Sequence, residues 1–186
     1  MKAISIAAFA VFAGCRGEQQ PRPPASSPAR AADSASILAF DDSVLDQAII
    51  GANPVVTPRG DTLSNLGGGM MEGEGASDYG IDHYTKNGLW YVRVQQMTSR
   101  KPDGKAVWAT RARLRLPPET SRENLATEGL CSVEGKNDPF IIAVTGIAVD
   151  SVSFQANYAW RFDVAQQTLK EIPVTHVTCS RASGDD

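Results

Sequence analysis

The sequence predicts a mainly β domain: an antiparallel meander of five to six strands with minor helix and one disulfide, an α+β arrangement being the alternative. Three observations carry this reading. Val152, Phe154, Ala156, Tyr158, Trp160, Phe162 and Val164 alternate with Ser153, Gln155, Asn157, Ala159, Arg161 and Asp163, the period-2 pattern of a half-buried strand. Gly88–Met97 and Ala106–Leu116 flank Pro102-Asp103-Gly104, where proline presets φ and glycine supplies positive φ, so the two runs read as a hairpin. Phe140–Val149 is a continuous apolar run, as expected of a central strand buried on both faces.

The chain begins with Lys2 and then a largely apolar stretch, Ala3–Ala13. Its eleven residues are too few to span a bilayer as a helix, which takes about 20. The pattern fits the apolar region of a secretory signal peptide. It ends in Phe12-Ala13-Gly14-Cys15, which resembles the lipobox of bacterial lipoproteins, although Phe12 stands where an aliphatic residue is usual. The resemblance implies removal of residues 1–14 and acylation of Cys15, whose thiolate is the nucleophile. Several acyl chains at about 0.8 kcal/mol per buried CH₂ would anchor the chain firmly in a membrane. In that family a residue other than Asp after the cysteine, here Arg16, implies the outer membrane, with the domain facing the periplasm. Ordinary cleavage after Ala8-Phe9-Ala10, or a buried N-terminal helix, are the rival readings.

Residues 15–36 read as a tether. Arg16–Ser36 contains Pro21, Pro23, Pro24 and Pro28 and no large apolar side chain, so it cannot bury enough surface to offset its ordering entropy. At about 3.1 Å per residue it reaches up to roughly 60 Å. Residues 37–181 are long enough for one domain with a real core, and 182–186 form a flexible tail. Without Lys2 the chain carries 17 basic and 21 acidic side chains, a balance that gives no reason to expect nucleic acid as a partner.

Within the domain, Phe40–Ile50 has a helical apolar face (Phe40, Val44, Leu45, Ala48, Ile49), ended by Gly51 and Asn53-Pro54. Pro54–Asn87 is glycine-rich and weakly patterned. In the second hairpin strand Trp108, Ala112, Leu114 and Leu116 make the apolar face, and Pro117-Pro118 ends it. Glu119–Gly129 reads as a short helix or loop. Thr168–Ile172 and Val174–Cys179 supply two short strands around Pro173. Cys131 and Cys179 are the cysteines left after Cys15, and in an oxidising compartment they read as a structural disulfide rather than a redox pair. Closing a loop of that length contributes roughly 4 kcal/mol.

Cys131, Gly135-Lys136, Asp138-Pro139, Ile141-Ile142-Ala143, Ala159-Trp160-Arg161, Asp163, Ile172-Pro173 and Cys179 resemble a pattern in small bacterial envelope proteins, together with Trp108 and Leu114 to Pro118. The resemblance covers about half the chain. It implies a two-cysteine β domain and brings no activity with it.

The usual hydrolase and nucleotide signatures are absent: no G-x-S-x-G, no H-E-x-x-H, and no Lys-Ser/Thr after Gly67-Gly68-Gly69. No cofactor is expected. Glu72, Glu74, Asp78, Asp82 and His83 are candidate ligands for a weak calcium-type metal site, or for an enzyme built on one. An acidic glycine-rich loop is more often simply solvated. Met70-Met71 could act as soft copper ligands but more often packs a loop, and His176 reads as structural or exposed.

Charge is the informative feature. Gly88–Leu116 carries Arg93, Arg100, Lys101, Lys105, Arg111, Arg113 and Arg115 against Asp103 alone, a net of +6. Ile37–Asn87 carries a net of −6. Period 2 puts Arg111, Arg113 and Arg115 on one face. They make a candidate anion- or partner-binding surface with Arg93, Arg100 and Lys101, for an envelope protein, an acidic glycan or a lipid headgroup. The alternative is a solvated sheet face offset by the acidic segment folded beside it. Function therefore reads as a non-enzymatic envelope binding module, with a small periplasmic inhibitor of an envelope-attacking enzyme as the second reading.

Overall fold

A computed structural model describes residues 42–47, 51, 53–146 and 153–180. The leader, Cys15, the tether, the ends of the expected 40–50 helix, Ile147–Val149 and the tail lie outside them. The architecture is mainly β, antiparallel throughout, with one disulfide, as expected. It consists of two sheets rather than one meander.

The first sheet is a five-strand meander: β1 (Val55–Val56), β2 (Thr62–Met70), β3 (Tyr79–Lys86), β4 (Leu89–Arg100) and β5 (Ala106–Arg115), in that order. The glycine-rich segment thus contributes three strands that its pattern does not announce. Asn87 and Gly88 have φ of 52° and 78°, the positive values of the two-residue turn that suits the twist of a hairpin, and they join β3 to β4. In β2, Leu66 is the extra residue between the Asn65–Tyr84 and Gly67–His83 pairs, and Gly67 takes up the bulge with φ of 101°. Gly68 serves a different purpose: a Cβ there would lie 2.0 Å from the Ile81 carbonyl oxygen.

The second sheet comprises β6 (Leu125–Ala126), β7 (Cys131–Val133), β8 (Lys136–Asn137), β9 (Ile141–Thr145), β10 (Ser153–Asp163), β11 (Thr168–Glu171) and β12 (Val177–Ser180), in the order β6-β9-β10-β12-β7-β8. β11 and β12 share one edge of β10: β11 pairs with Trp160–Asp163 and β12 with Ser153–Gln155. Pro173, which has no N–H for a ladder, and the short 3₁₀ turn Val174–His176 separate the two.

The sheets pack face to face. Ile81, Val92, Val94, Ala112 and Leu116 of the first meet Phe140, Ile142, Val144, Trp160 and Phe162 of the second in one cluster. Tyr79 packs edge-on to Phe140, with ring centres 5.6 Å apart. The other face of the second sheet holds a smaller cluster of Ile141, Ala143, Ala156, Ala159, Val177 and the two cysteines. All five residues of β9 are buried, as its apolar run predicts. Cys131 and Cys179 are direct cross-strand partners on β7 and β12, with Cα atoms 4.0 Å apart.

The alternation along β10 breaks at one point. Ala156 pairs with Thr145 and Tyr158 with Val144, leaving Asn157 as a bulge. Beyond it the faces exchange: Ala156 and Ala159 belong to the disulfide cluster, Trp160 and Phe162 to the main core. Ala159, on the polar side of the expected pattern, is wholly buried.

A backbone packed this closely has no room for a side chain at position 68. Gly68→Ala should cost about 1–3 kcal/mol in urea unfolding. Gly146→Ala, where a Cβ meets nothing within 4 Å, should stay within about 0.5 kcal/mol. Equal midpoints for the two variants would show that β2 and β3 do not approach this closely.

Candidate functional site

The basic hairpin forms as expected, but two bulges decide where its side chains go. In β4, Thr98 is the extra residue between the Met97–Trp108 and Ser99–Val107 pairs. In β5, Arg111 is the extra residue between Val94–Ala112 and Gln95–Thr110. An extra residue reverses the inward–outward alternation beyond it. Arg113 and Arg115 therefore share a face with Arg93 and Tyr91, their cross-strand partners. Arg111 does not join them: its Nε donates to Gln96 Oε1 at 3.1 Å, and Gln96 is in phase with the core residues Val92 and Val94. The three arginines expected on one face are thus divided.

The same bulge moves Trp108 from the expected core face to the outer one. Its ring lies across Gly80, where a Cβ would sit 3.4 Å from the indole, and it remains 36% exposed. Met70, the partner of Gly80, is 43% exposed. Period-2 reasoning misses this pair, because a bulge leaves no mark in composition.

Lower on the outer face, α1 (Asp42–Gln47) contributes the buried Leu45 and reaches Arg93. That guanidinium is 5% exposed. Its Nε donates to Asp82 Oδ2 at 3.0 Å, and its Nη2 donates to both Asp82 and Asp46, the latter at 2.8 Å. Gln95 also donates to Asp82. Beside this network Tyr84 stacks on Tyr91 with ring centres 5.3 Å apart. Asp61 pairs with Lys86 at 2.8 Å and accepts from Asn87, contacts that hold its carboxyl below the usual carboxylate range. Arg93 is an internal ion-pair partner and not part of an open surface.

The tip is different. Residues 98–105 are all exposed, carrying Arg100, Lys101 and Lys105. Lys101 and Lys105 close the turn by a backbone bond of 2.8 Å, with Gly104 at φ of 85°. Arg100 Nη1 donates to the Gly104 carbonyl at 3.1 Å. The acid at the tip is Asp103, 3.5 Å from Lys105. Arg115 is exposed at the far end of β5.

The metal candidates are not brought together. Successive residues of a strand point to opposite faces, so Asp82 goes to Arg93 while His83 turns inward and sits 3.0 Å from Thr127 Oγ1. Glu72, Glu74 and Asp78 lie exposed in the β2–β3 connection. Among the described residues no three His, Cys, Asp or Glu side chains form a group that could hold a metal ion. Met71 is in the core and Met70 outside, so they do not converge either. His176 is exposed in its 3₁₀ turn. The Gly67–Gly69 run is an architectural feature: Gly69 faces the Glu128 carboxylate, where a Cβ would be 3.1 Å away. Burial and the charge of Glu72 raise the pKa of Glu128.

An open groove of about 460 Å³ lies at the end of β10, lined by Phe140, Arg161, Phe162 and Lys170 among others. Its cations are engaged: Arg161 with Asp138 at 2.7 Å and Lys170 with Asp163 at 2.8 Å. No protein-family model and no curated protein matches the chain, so the functional argument rests on this geometry.

Two outcomes follow. Arg93→Met leaves the partly exposed Asp82 without its cation and should cost about 1–3 kcal/mol, while Arg115→Ala should change stability by less than about 0.5 kcal/mol; similar unfolding curves would contradict the internal role. Burial, and secondarily the charge of Arg122, lowers the His83 pKa to about 4. The unfolded chain, with an ordinary imidazole near 6.5, then binds the extra proton first, so stability should fall as pH drops from about 6.5 to 4. The full effect is on the order of 3 kcal/mol. Unfolding of His83→Gln and the parent at pH 7 and pH 4.5 checks this: the parent should lose more stability than the variant.

Proposed function

We propose that this chain is a bacterial envelope lipoprotein, anchored through acylated Cys15, probing its surroundings on the Arg16–Ser36 tether, and acting by binding rather than catalysis. In this reading the domain faces the periplasm from the outer membrane, and its contact surface is the tip of the basic hairpin. The surface is narrower than the arginine face the sequence suggests: Arg100, Lys101 and Lys105.

One observation carries the reading. Among the described residues Asp46, Asp61 and Asp82 pair with Arg93 and Lys86, so these three acids do not neutralise the tip. The tip keeps three exposed cations against Asp103. Exposed basic charge of this kind steers association with anionic surfaces and loses strength with salt.

Crosslinking of the acylated chain in its native envelope, read by mass spectrometry, tests this. The parent should give reproducible crosslinks to another envelope component through Lys101 and Lys105. A double charge reversal, Arg100→Glu with Lys105→Glu, should reduce capture at least tenfold, and added salt should mimic it. Capture that is indifferent to both would place the contact surface elsewhere on the molecule.

A further inference from the structure

We propose that the hairpin tip and the adjoining Trp108–Met70 strip form a single membrane-surface contact, docking the domain on an anionic phospholipid face. This deepens the binding reading above, and rests on it, by naming the partner.

The bulges at Thr98 and Arg111 bring apolar and basic side chains together on the outer face. Trp108 is turned to the outer face. Its ring reaches Gly80, two strands away, where a Cβ would stand 3.4 Å from it. Met70 extends the strip on the far side of Gly80, and Met97, the cross-strand partner of Trp108, is half-buried beside it. The cations stand next to this strip. Arg100 pairs with Ala106, two positions from Trp108, so both project from the outer side of the same hairpin, with Lys101 and Lys105 at its end.

This composition suits a lipid interface. An indole offers an apolar ring with a polar N–H, the combination that places tryptophan at the headgroup level. Lysine and arginine lay their aliphatic stems on apolar material while holding charge among phosphates. Clusters of such cations are attracted to anionic leaflets.

A protein partner fits less well. A stable protein–protein interface takes about 800 Å² from each side around an apolar centre. The large hydrophobics exposed here number two, Met70 and Trp108, out of the four on the described residues, and the cations occupy a turn that projects into solvent. A shallow, charge-assisted contact is what this surface can support. A lipid anchor on the same chain would make even a weak contact effective, because tethering converts it to an intramolecular event.

The test uses the chain begun at Arg16, so that neither the apolar leader nor an acyl group contributes, with vesicles of phosphatidylcholine alone or mixed equally with phosphatidylglycerol. The expected result is sedimentation with the mixed vesicles only, abolished by high salt. Affinity should fall at least tenfold in Arg100→Glu/Lys105→Glu, whose side chains are exposed, with an unfolding curve of the variant confirming that the fold is kept. Brominated phosphatidylglycerol should quench fluorescence of the parent more than that of Trp108→Phe, which keeps the ring's packing on Gly80.

Absence of sedimentation with phosphatidylglycerol, or sedimentation unaffected by the charge reversal, would overturn the lipid contact. If envelope crosslinks through the tip to an acidic protein persist in that case, the binding-module reading survives and the partner is that protein. If tip crosslinks are also lost, both fall.

Discussion

The guanidinium of Arg93 organises the outer face of this protein. A cation 5% exposed in the middle of a sheet is costly to desolvate unless carboxylates surround it. Asp82 comes from the adjacent strand, in direct register. Asp46 comes from α1, 47 residues earlier in the chain, and with the buried Leu45 it fastens the helix to the sheet. Arg113 stands opposite Arg93 on the next strand, so without those two acids the face would hold like charges side by side, a destabilising pairing. The compensation is local, and for that reason it leaves the hairpin tip as it is. The net charges of the two segments, +6 and −6, cancel along the sequence, yet they do not cancel in space.

The core imposes a second constraint, through β9. A strand buried on both faces needs an apolar layer on each side. The first sheet supplies one, through Val92, Val94 and Leu116. The second sheet supplies the other from its own β7 and β12, where the disulfide takes the place of larger side chains. The bulge at Asn157 lets β10 serve both layers: Phe154 and Ala156 precede it, Trp160 and Phe162 follow it, and the reversal of faces sends them to different layers. With an unbroken period of 2 the even-numbered residues of β10 would all face one layer.

Much of this was legible in the residues and some was not, for identifiable reasons. The hairpin, β9, β10 and the disulfide are written locally, as an apolar run, an alternation, a turn or a residue count. The strands β2 and β3 are hidden because Gly67–Gly69 resembles a loop; Gly67 takes up a bulge and Gly68 allows close backbone approach, which composition does not express. The Asn87-Gly88 dipeptide is a hairpin turn signal that marks the end of β3 despite the glycine content around it. The Asp46–Arg93 pair has no sequence signature at all, because nothing in the chain states which acid will meet which arginine across 47 positions. The expected grouping of Asp82 with His83 as metal ligands fails on the elementary rule that neighbours on a strand face opposite ways, once β3 is recognised as a strand.

The bulges at Thr98 and Arg111 deserve the same physical treatment as the strands they interrupt. If β5 kept its alternation from Ala112 to Ala106, Trp108 would point inward with Ala112 and Leu114, and Arg111 would stand beside Arg113 and Arg115. The sheet would then have a uniformly basic outer face and an additional aromatic ring in its core. With the bulge at Arg111, an arginine is withdrawn from that face toward Gln96 and a tryptophan takes its place on the outside, over a glycine that accommodates it. The exchange lowers the charge density of the sheet and adds an apolar element beside the cations that remain at the tip. A β-bulge is a means of re-aiming a side chain, and here it makes the end of the hairpin amphipathic rather than merely basic.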